Sequence, residues 1–422
     1  MSEKLIVLSI FILVYLYLIF FKKHRAVSIW IGLIVLLFIS ILDIPGIIYA
    51  VNWNVIGIFA GTLIIAEFFS MSGVPAYLAD GIVERSKSTG TAMLRVCAIS
   101  GFLSIFIENV AVVLIIAPIA LEMARKLKAS PVPVIVGLAV SSNLQGTATL
   151  IGDPPSMILA AAMKMDFIDF IWFQGKPGIF FAVEFSAVVS LLILYLFFKK
   201  FKQPVSVHRE SKVESWTPTI LLTGMVIGLA FAPVLDPDFA WLSGTICIIF
   251  ALFTLIWGWS KNADETINIL KRYDLDTTLF LAGIFVLVHA FETAGLITDF
   301  KDFLVSFLGE SVLINFLFIV IFSVIISAFI DNVPYITVMI PVARSLGDTL
   351  LGSEYLLVFA LLIGACMGGN ITPIGASANI VSAGILKKEG YPISFWDFIK
   401  IGLPFTIGAT AAGALFIWMV WS

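Results

Sequence analysis

Hydrophobic runs of span length alternate with short polar interruptions along nearly all of this 422-residue chain. A helix that crosses a bilayer needs about 20 predominantly apolar residues, a little fewer at the short end. By that measure the pattern predicts spans over 5–21, 26–48, 54–72, 132–163 and 177–198, then over 217–234, 240–258, 277–297, 355–386 and 400–421. Each half holds one further apolar segment, 91–125 and 311–346, with an acidic residue and an Asn side by side near its middle. These two read as helix hairpins. Their arms are about 24 Å long as helix, near the lower limit for crossing, and their tips lack the Gly and Pro of a surface turn, so re-entrant hairpins are expected. The segments 132–163 and 355–386 would measure about 48 Å as unbroken helix, too long for about 30 Å of hydrocarbon. Each should therefore break near its middle. Irregular backbone survives at that depth only against protein or a water-filled cavity.

The interruptions themselves repeat. GTATLIGDPPSMI at 146–158 aligns with GNITPIGASANIV at 369–381, and the same spacing of 223 residues pairs FIENV at 106–110 with FIDNV at 329–333 and Pro118 with Pro341. The chain reads as two copies of one unit, 1–198 and 217–422, joined by a polar, basic linker at 199–216. Polar breaks at matching places in two hydrophobic halves point to a secondary transporter's binding site.

Charge orients the spans. With the N-terminus outside, 18 Lys and Arg fall on inner loops and five on outer ones, which supports that orientation by the positive-inside rule. Arg25, Arg272 and the linker are then cytoplasmic, and both termini lie outside the plasma (inner) membrane. Five spans per half is an odd number, so the second copy is inverted. Val74 to Lys87 reads as an amphipathic helix on the inner surface.

Composition agrees. Hydrophobic residues make up 60% and charged residues 13%, which excludes a soluble domain and indicates an integral protein of the lipid bilayer. The net charge of −3 gives no reason to expect nucleic acid. Cys97, Cys247 and Cys366 match neither a disulfide framework nor a zinc site. No phosphate-binding Gly-Lys-Ser/Thr loop is present, so the chain reads as a non-enzyme that hydrolyses no ATP. No cofactor is expected, and the coupling ion is H⁺ or Na⁺.

Chemistry concentrates at the tips and breaks. Glu108, Asn109, Asp331 and Asn332 place a carboxylate and an amide at each tip, where a Na⁺ or a proton could bind; an ionisable group at membrane depth is costly unless it has a use. In the breaks, Asn143, Thr147, Thr149 and Ser156 match Asn370, Thr372, Ser377 and Asn379, while Gly146, Gly152, Gly369 and Gly375 let backbone approach a ligand. Half-helices that start at a break point positive dipole ends inward, which suits an oxyanion. Asp153 has no counterpart, since Ala376 stands at the matching place; it reads either as a helix cap or as a proton carrier. Glu67, Glu184, His289 and Glu292 are read as interface or paired residues.

FIENVAVVLIIAPIALEMARKL with SSNLQGTATLIGDPPSMI, and SAFIDNVPYITVMIPV with GACMGGNITPIGASANIV, resemble the signature of the ArsB and P-protein permeases of the ion transporter superfamily. The resemblance implies an all-α polytopic fold of inverted repeats, about ten spans and two re-entrant hairpins. It also implies binding between tips and broken helices, with elevator-type movement. Asn109, Gly146, Thr149, Asp153, Asn332, Asn370, Thr372 and Asn379 fall on motif positions; Glu108 replaces the usual Asp, and Ser156 the usual Asn. The leading expectation is an ion-coupled carrier of a small inorganic solute, arsenite or antimonite efflux being the named candidate. Na⁺/H⁺ exchange, sodium-coupled di- or tricarboxylate transport and a passive anion channel are the alternatives. A cytoplasmic ATPase and a second copy of the chain are possible partners.

Overall fold

The computed structural model describes residues 3–20, 24–126, 129–204, 211–350 and 352–422. Lys22, Lys23, Lys128, Arg209 and the middle of the linker, all used in the charge count, lie outside the described residues.

Among the described residues, ten helices form the first half. They are α1 Glu3–Phe20, α2 Arg25–Phe38, α3 Ile44–Ala50, α4 Trp53–Met71, α5 Val74–Glu84, α6 Thr89–Ser104, α7 Asn109–Lys126, α8 Val132–Gly146, α9 Pro154–Met163 and α10 Ile179–Phe198. Ten α-helices follow in the second half: α11 Thr217–Phe231, α12 Leu242–Lys261, α13 Ala263–Arg272, α14 Leu275–Thr293, α15 Leu296–Leu308, α16 Val312–Ser327, α17 Asn332–Thr349, α18 Glu354–Gly368, α19 Ser377–Lys388 and α20 Phe395–Trp421. The two halves match over the motif-bearing helices. From α4 and α14 to α9 and α19, helix starts keep the spacing of the motifs to within one residue.

Both long segments are broken where expected, α8 ending at Gly146 and α18 at Gly368. Both acidic-Asn pairs sit at turns, between α6 and α7 and between α16 and α17. Pro118 and Pro341 lie inside α7 and α17 at matching places. The segment 26–48 differs from expectation. It is not one span, because α2 stops at Phe38 and Asp43 caps a separate short α3 that has Pro in its first turn. Proline favours a helix's first turn and an Asp cap satisfies a free amide there, so the chain restarts instead of continuing. The elements not foreseen include the amphipathic α13, the helix α15 between the expected span 277–297 and the second hairpin, and a β-hairpin pairing Trp172–Phe173 with Lys176–Pro177. Six of the described helices are long and apolar enough to cross a membrane alone. A total near ten also counts α1, the short α2 and the two broken segments.

The helices pack as two groups. In one, α4 lies along α12 and α2 along α14, with α1 and α11 outside them. Small residues let these backbones touch: a Cβ on Gly57 would stand 3.0 Å from the Gly244 backbone. In the other group α6 lies on α8, α16 on α18, and α10 on α20. The cross-half pairs are reciprocal, α7 with α19 and α17 with α9, as in a two-fold arrangement. The helices α5 and α15 join the groups.

Candidate functional site

Each hairpin tip is tied to the break of its own half by the same bond. The Thr149 hydroxyl donates to the Ile105 carbonyl, and the Thr372 hydroxyl donates to the Ala328 carbonyl. Ser142 adds a bond from its hydroxyl to the Asn109 carbonyl at 3.1 Å, and Ser327 donates to the Asn332 side chain. A buried threonine must place its hydroxyl on an acceptor, and the free carbonyls at the end of α6 or α16 are that acceptor.

The breaks are held open by close backbone approach and joined by amides. A Cβ on Gly152 would lie 2.2 Å from the Gly146 carbonyl oxygen, and one on Gly375 would lie 2.6 Å from that of Gly369. Only glycine fits such a crossing. The buried Asn143 amide donates to Asn370 and to Asn379 at 2.9 Å each, bridging the halves, while Asn379 donates to the carbonyls of Gly369 and Thr372. Asp153 caps α9, its Oδ1 accepting from the Ser156 amide at 3.0 Å and its Oδ2 receiving Thr147 at 3.4 Å. Ala376 occupies the same place before α19 with nearly the same backbone angles, φ −141° and ψ 152° against −150° and 158°, and has no side chain to cap with.

Tips and breaks meet at a cavity of about 650 Å³. Its wall includes the starts of four helices: Asn109 of α7, Pro154 of α9, Asn332 of α17 and Ser377 of α19. Three of these starts carry the chain's own carboxylate: Glu108 accepts from the Ala111 amide at 3.3 Å, Asp331 from Val333 at 3.2 Å, and Asp153 from Ser156. Of these four, only the start of α19 has no side-chain cap; the start of α2 at Arg25, which also lines the cavity, has none either but carries a cation.

Of the residues singled out from sequence, Glu108, Asn109, Asp153, Asp331, Asn332 and Ser377 line this cavity, together with Glu67. Asn143, Thr147, Thr149, Ser156, Asn370, Thr372, Asn379 and the four break glycines do not line it; they stand behind and shape the breaks. Glu184 lies apart, within reach of Gln145 at 3.4 Å, and neither His289 nor Glu292 reaches the cavity. Sequence reasoning missed the wall contributed by the other helix group: Arg25, Arg272, Tyr273, Asp274 and Asp276. Arg25 had one legible signal, since a cation at the start of a helix opposes the macrodipole and needs a counter-charge. The structure supplies it in Asp331, at 2.7 Å. Among the described residues no cluster of His, Cys, Asp and Glu is arranged to hold a metal ion.

Fold and site together define a multi-pass α-helical membrane transporter. The chain belongs to the CitMHS family, described as citrate transporter, whose model matches residues 15–346 and 260–422. It is 27% identical over 99% of its length to the 46 kDa membrane protein of Mycobacterium leprae, 98% of which is covered. Identity is 30% to the uncharacterized transporter Rv2684 of Mycobacterium tuberculosis, over 87% of this chain and 86% of that one. To the human P protein it is 26% identical over 96% of this chain, which spans 58% of that protein. In structure it resembles the YdaH transporter of Alcanivorax borkumensis, with a TM-score of 0.61 at 15% identity over 92% of this chain and 88% of that one. These similarities include the P-protein side of the expected resemblance, and the matched family is described by citrate rather than by arsenite.

Proposed function

We propose that the protein is an ion-coupled secondary transporter that carries a small carboxylate anion together with cations. The observation that carries this reading is the convergence on one cavity of the starts of α7, α9, α17 and α19, the first three occupied by internal carboxylates and the last vacant. The helix α14 also starts there under its own Asp274, and α2 starts there with the cation Arg25. A helix start offers free amides and a positive dipole end. The vacant start at Ala376 and Ser377 is the seat for a substrate carboxylate, as Asp153 is for its own helix. Six carboxylates, Glu67, Glu108, Asp153, Asp274, Asp276 and Asp331, line the cavity against two arginines. A bare anion entering there meets repulsion, so cations must accompany it. The family description adds citrate as the first substrate to try.

In this reading the halves are inverted repeats, the hairpins are re-entrant with tips near the midplane, and the group containing tips and breaks moves against the group of α2, α4, α12 and α14. The cavity touches the late part of α4, Leu63 to Ser70, and the early part of α14, Asp276 to Phe280. By the charge rule both ends are cytoplasmic, which makes this the inward-open state. Purified protein in liposomes should accumulate labelled citrate against its gradient when an inward Na⁺ or H⁺ gradient is imposed. Uptake that only equilibrates would indicate a channel, and sodium-driven proton movement without any anion would indicate an exchanger.

Arsenite export is the second reading. It draws on Cys366, which is buried beside Asp153 and Thr147 at the break. If Cys366→Ser exports arsenite as well as the parent, the thiol has no part in it.

A further inference from the structure

We propose that Arg25 is a tethered cation: in this state its guanidinium occupies the place at Asp331 that a free coupling cation takes when the hairpin tip has moved away. The proposal rests on the transport reading above, in which Arg25 counts only as one of the wall's positive charges, and gives that residue a specific role. Arg25 Nη1 stands 2.7 Å from Asp331 Oδ2, with side chains 21% and 26% exposed. The partners belong to different helix groups, one at the start of α2 and the other at the turn before α17. The pair can exist only while those groups hold this relative position.

Three features separate this contact from an ordinary surface ion pair. Arg25 is the first residue of α2 and no side chain caps that helix, so the local dipole disfavours a cation there. Asp331 divides its oxygens, Oδ1 to the Val333 amide that fixes the tip and Oδ2 to the guanidinium. One oxygen is structural, and the other is the exchangeable cation site. Finally, the matching tip lacks the arrangement. Among the described residues Glu108 has no cationic partner, and α12, which takes the place of α2 in the second half, has no basic residue before Lys261.

Withdrawing the tip from α2 leaves a carboxylate inside the membrane protein without its counter-charge, an expensive state. It is relieved by binding a cation from the solution then facing the site. When the tip returns, the tethered guanidinium competes at high effective concentration and expels that cation on the side where release is needed.

The test is a sodium titration of thermal unfolding of the purified full-length protein, with choline chloride holding ionic strength constant. The set is the parent, Arg25→Gln, Arg25→Met, Arg25→Lys, Asp331→Asn and the double variant Arg25→Gln/Asp331→Asn. Both neutral replacements of Arg25 should lower the sodium concentration for half-maximal stabilisation at least tenfold. Arg25→Lys should behave as the parent, and the gain should vanish in the double variant. Arg25→Gln and Asp331→Asn break the same bond, so a merely structural pair predicts equal loss of stability and no change in sodium response for either. An unchanged sodium midpoint in both neutral variants, or a gain that survives Asp331→Asn, overturns the proposal. The titration reads binding and not flux, so failure to accumulate citrate counts against the transport reading alone.

Discussion

Asp153 and Ala376 hold equivalent places before α9 and α19, and one side chain separates them. An Asp at position 376 has the extended backbone needed to cap α19 as Asp153 caps α9. Capping contributes about 0.5–2 kcal/mol. Ala376→Asp should therefore keep or raise the thermal midpoint while cutting citrate transport at least tenfold, because an internal carboxylate then fills the substrate's seat. Transport unchanged in that variant would remove the vacant-start argument. Asp153→Ala should lose about 1 kcal/mol of stability from the missing cap, measured by denaturant or thermal unfolding. Residues of this kind were legible in the chain, since Asp153 opposite Ala376 breaks an otherwise shared motif. Which of the motif's polar residues face the cavity was not legible. Asn370 and Asn379 carry the same motif signal as Asn109 and Asn332, yet both accept from the Asn143 amide, and Asn379 donates to the carbonyls of Gly369 and Thr372, behind the cavity wall.

At the scale of elements, the breaks depend on two crossings of backbone at Gly146 with Gly152 and at Gly369 with Gly375. Added methyl groups have nowhere to go, as the atoms they meet are main-chain oxygens. Gly152→Ala and Gly375→Ala should each abolish transport and lower the unfolding midpoint, whereas Gly384→Ala, with open space around it, should be silent in both assays. The threonine bonds make a milder case. Thr149→Val leaves the Ile105 carbonyl without its buried donor, a cost of about 1–3 kcal/mol. Hydrogen exchange at residues 105–109 should rise in that variant, and the equivalent effect should appear at 328–332 in Thr372→Val. The breaks were predictable because helix length and bilayer thickness disagree. The division of 26–48 into α2 and α3 was not, because apolar runs do not reveal where a proline and a capping Asp restart a helix.

For the whole molecule, the proposed inward-open state makes a directional statement. In a background lacking Cys97, Cys247 and Cys366, single cysteines at Ser70 and Asp276 should react with an impermeant maleimide from the cytoplasmic side only. Labelling from outside would reverse the orientation. On the opposite face, the loop after α9 carries Asp166, whose carboxyl is pushed up to about 7 by burial and by the nearby charges of Asp169 and Asp236. A carboxyl raised in the folded state binds more protons folded than unfolded, so stability falls as pH rises from about 4 to 7 and levels off above that. Asp166→Asn should flatten this decline in a series of unfolding midpoints. A slope that matches the parent's would show that Asp166 does not control it.

Length, hydropathy and a motif written twice are local properties of the chain, and they sufficed for the helical membrane class, the broken segments and the turns at the two acidic-Asn pairs. Each follows from a rule about one segment, such as how far a helix reaches or what a buried carboxylate costs. The pairing of Arg25 with Asp331, the vacant start of α19 and the opening of the cavity toward one end of α4 and α14 arise from where two groups of helices come to rest against each other. No segment carries that information alone, because packing joins residues some 300 positions apart.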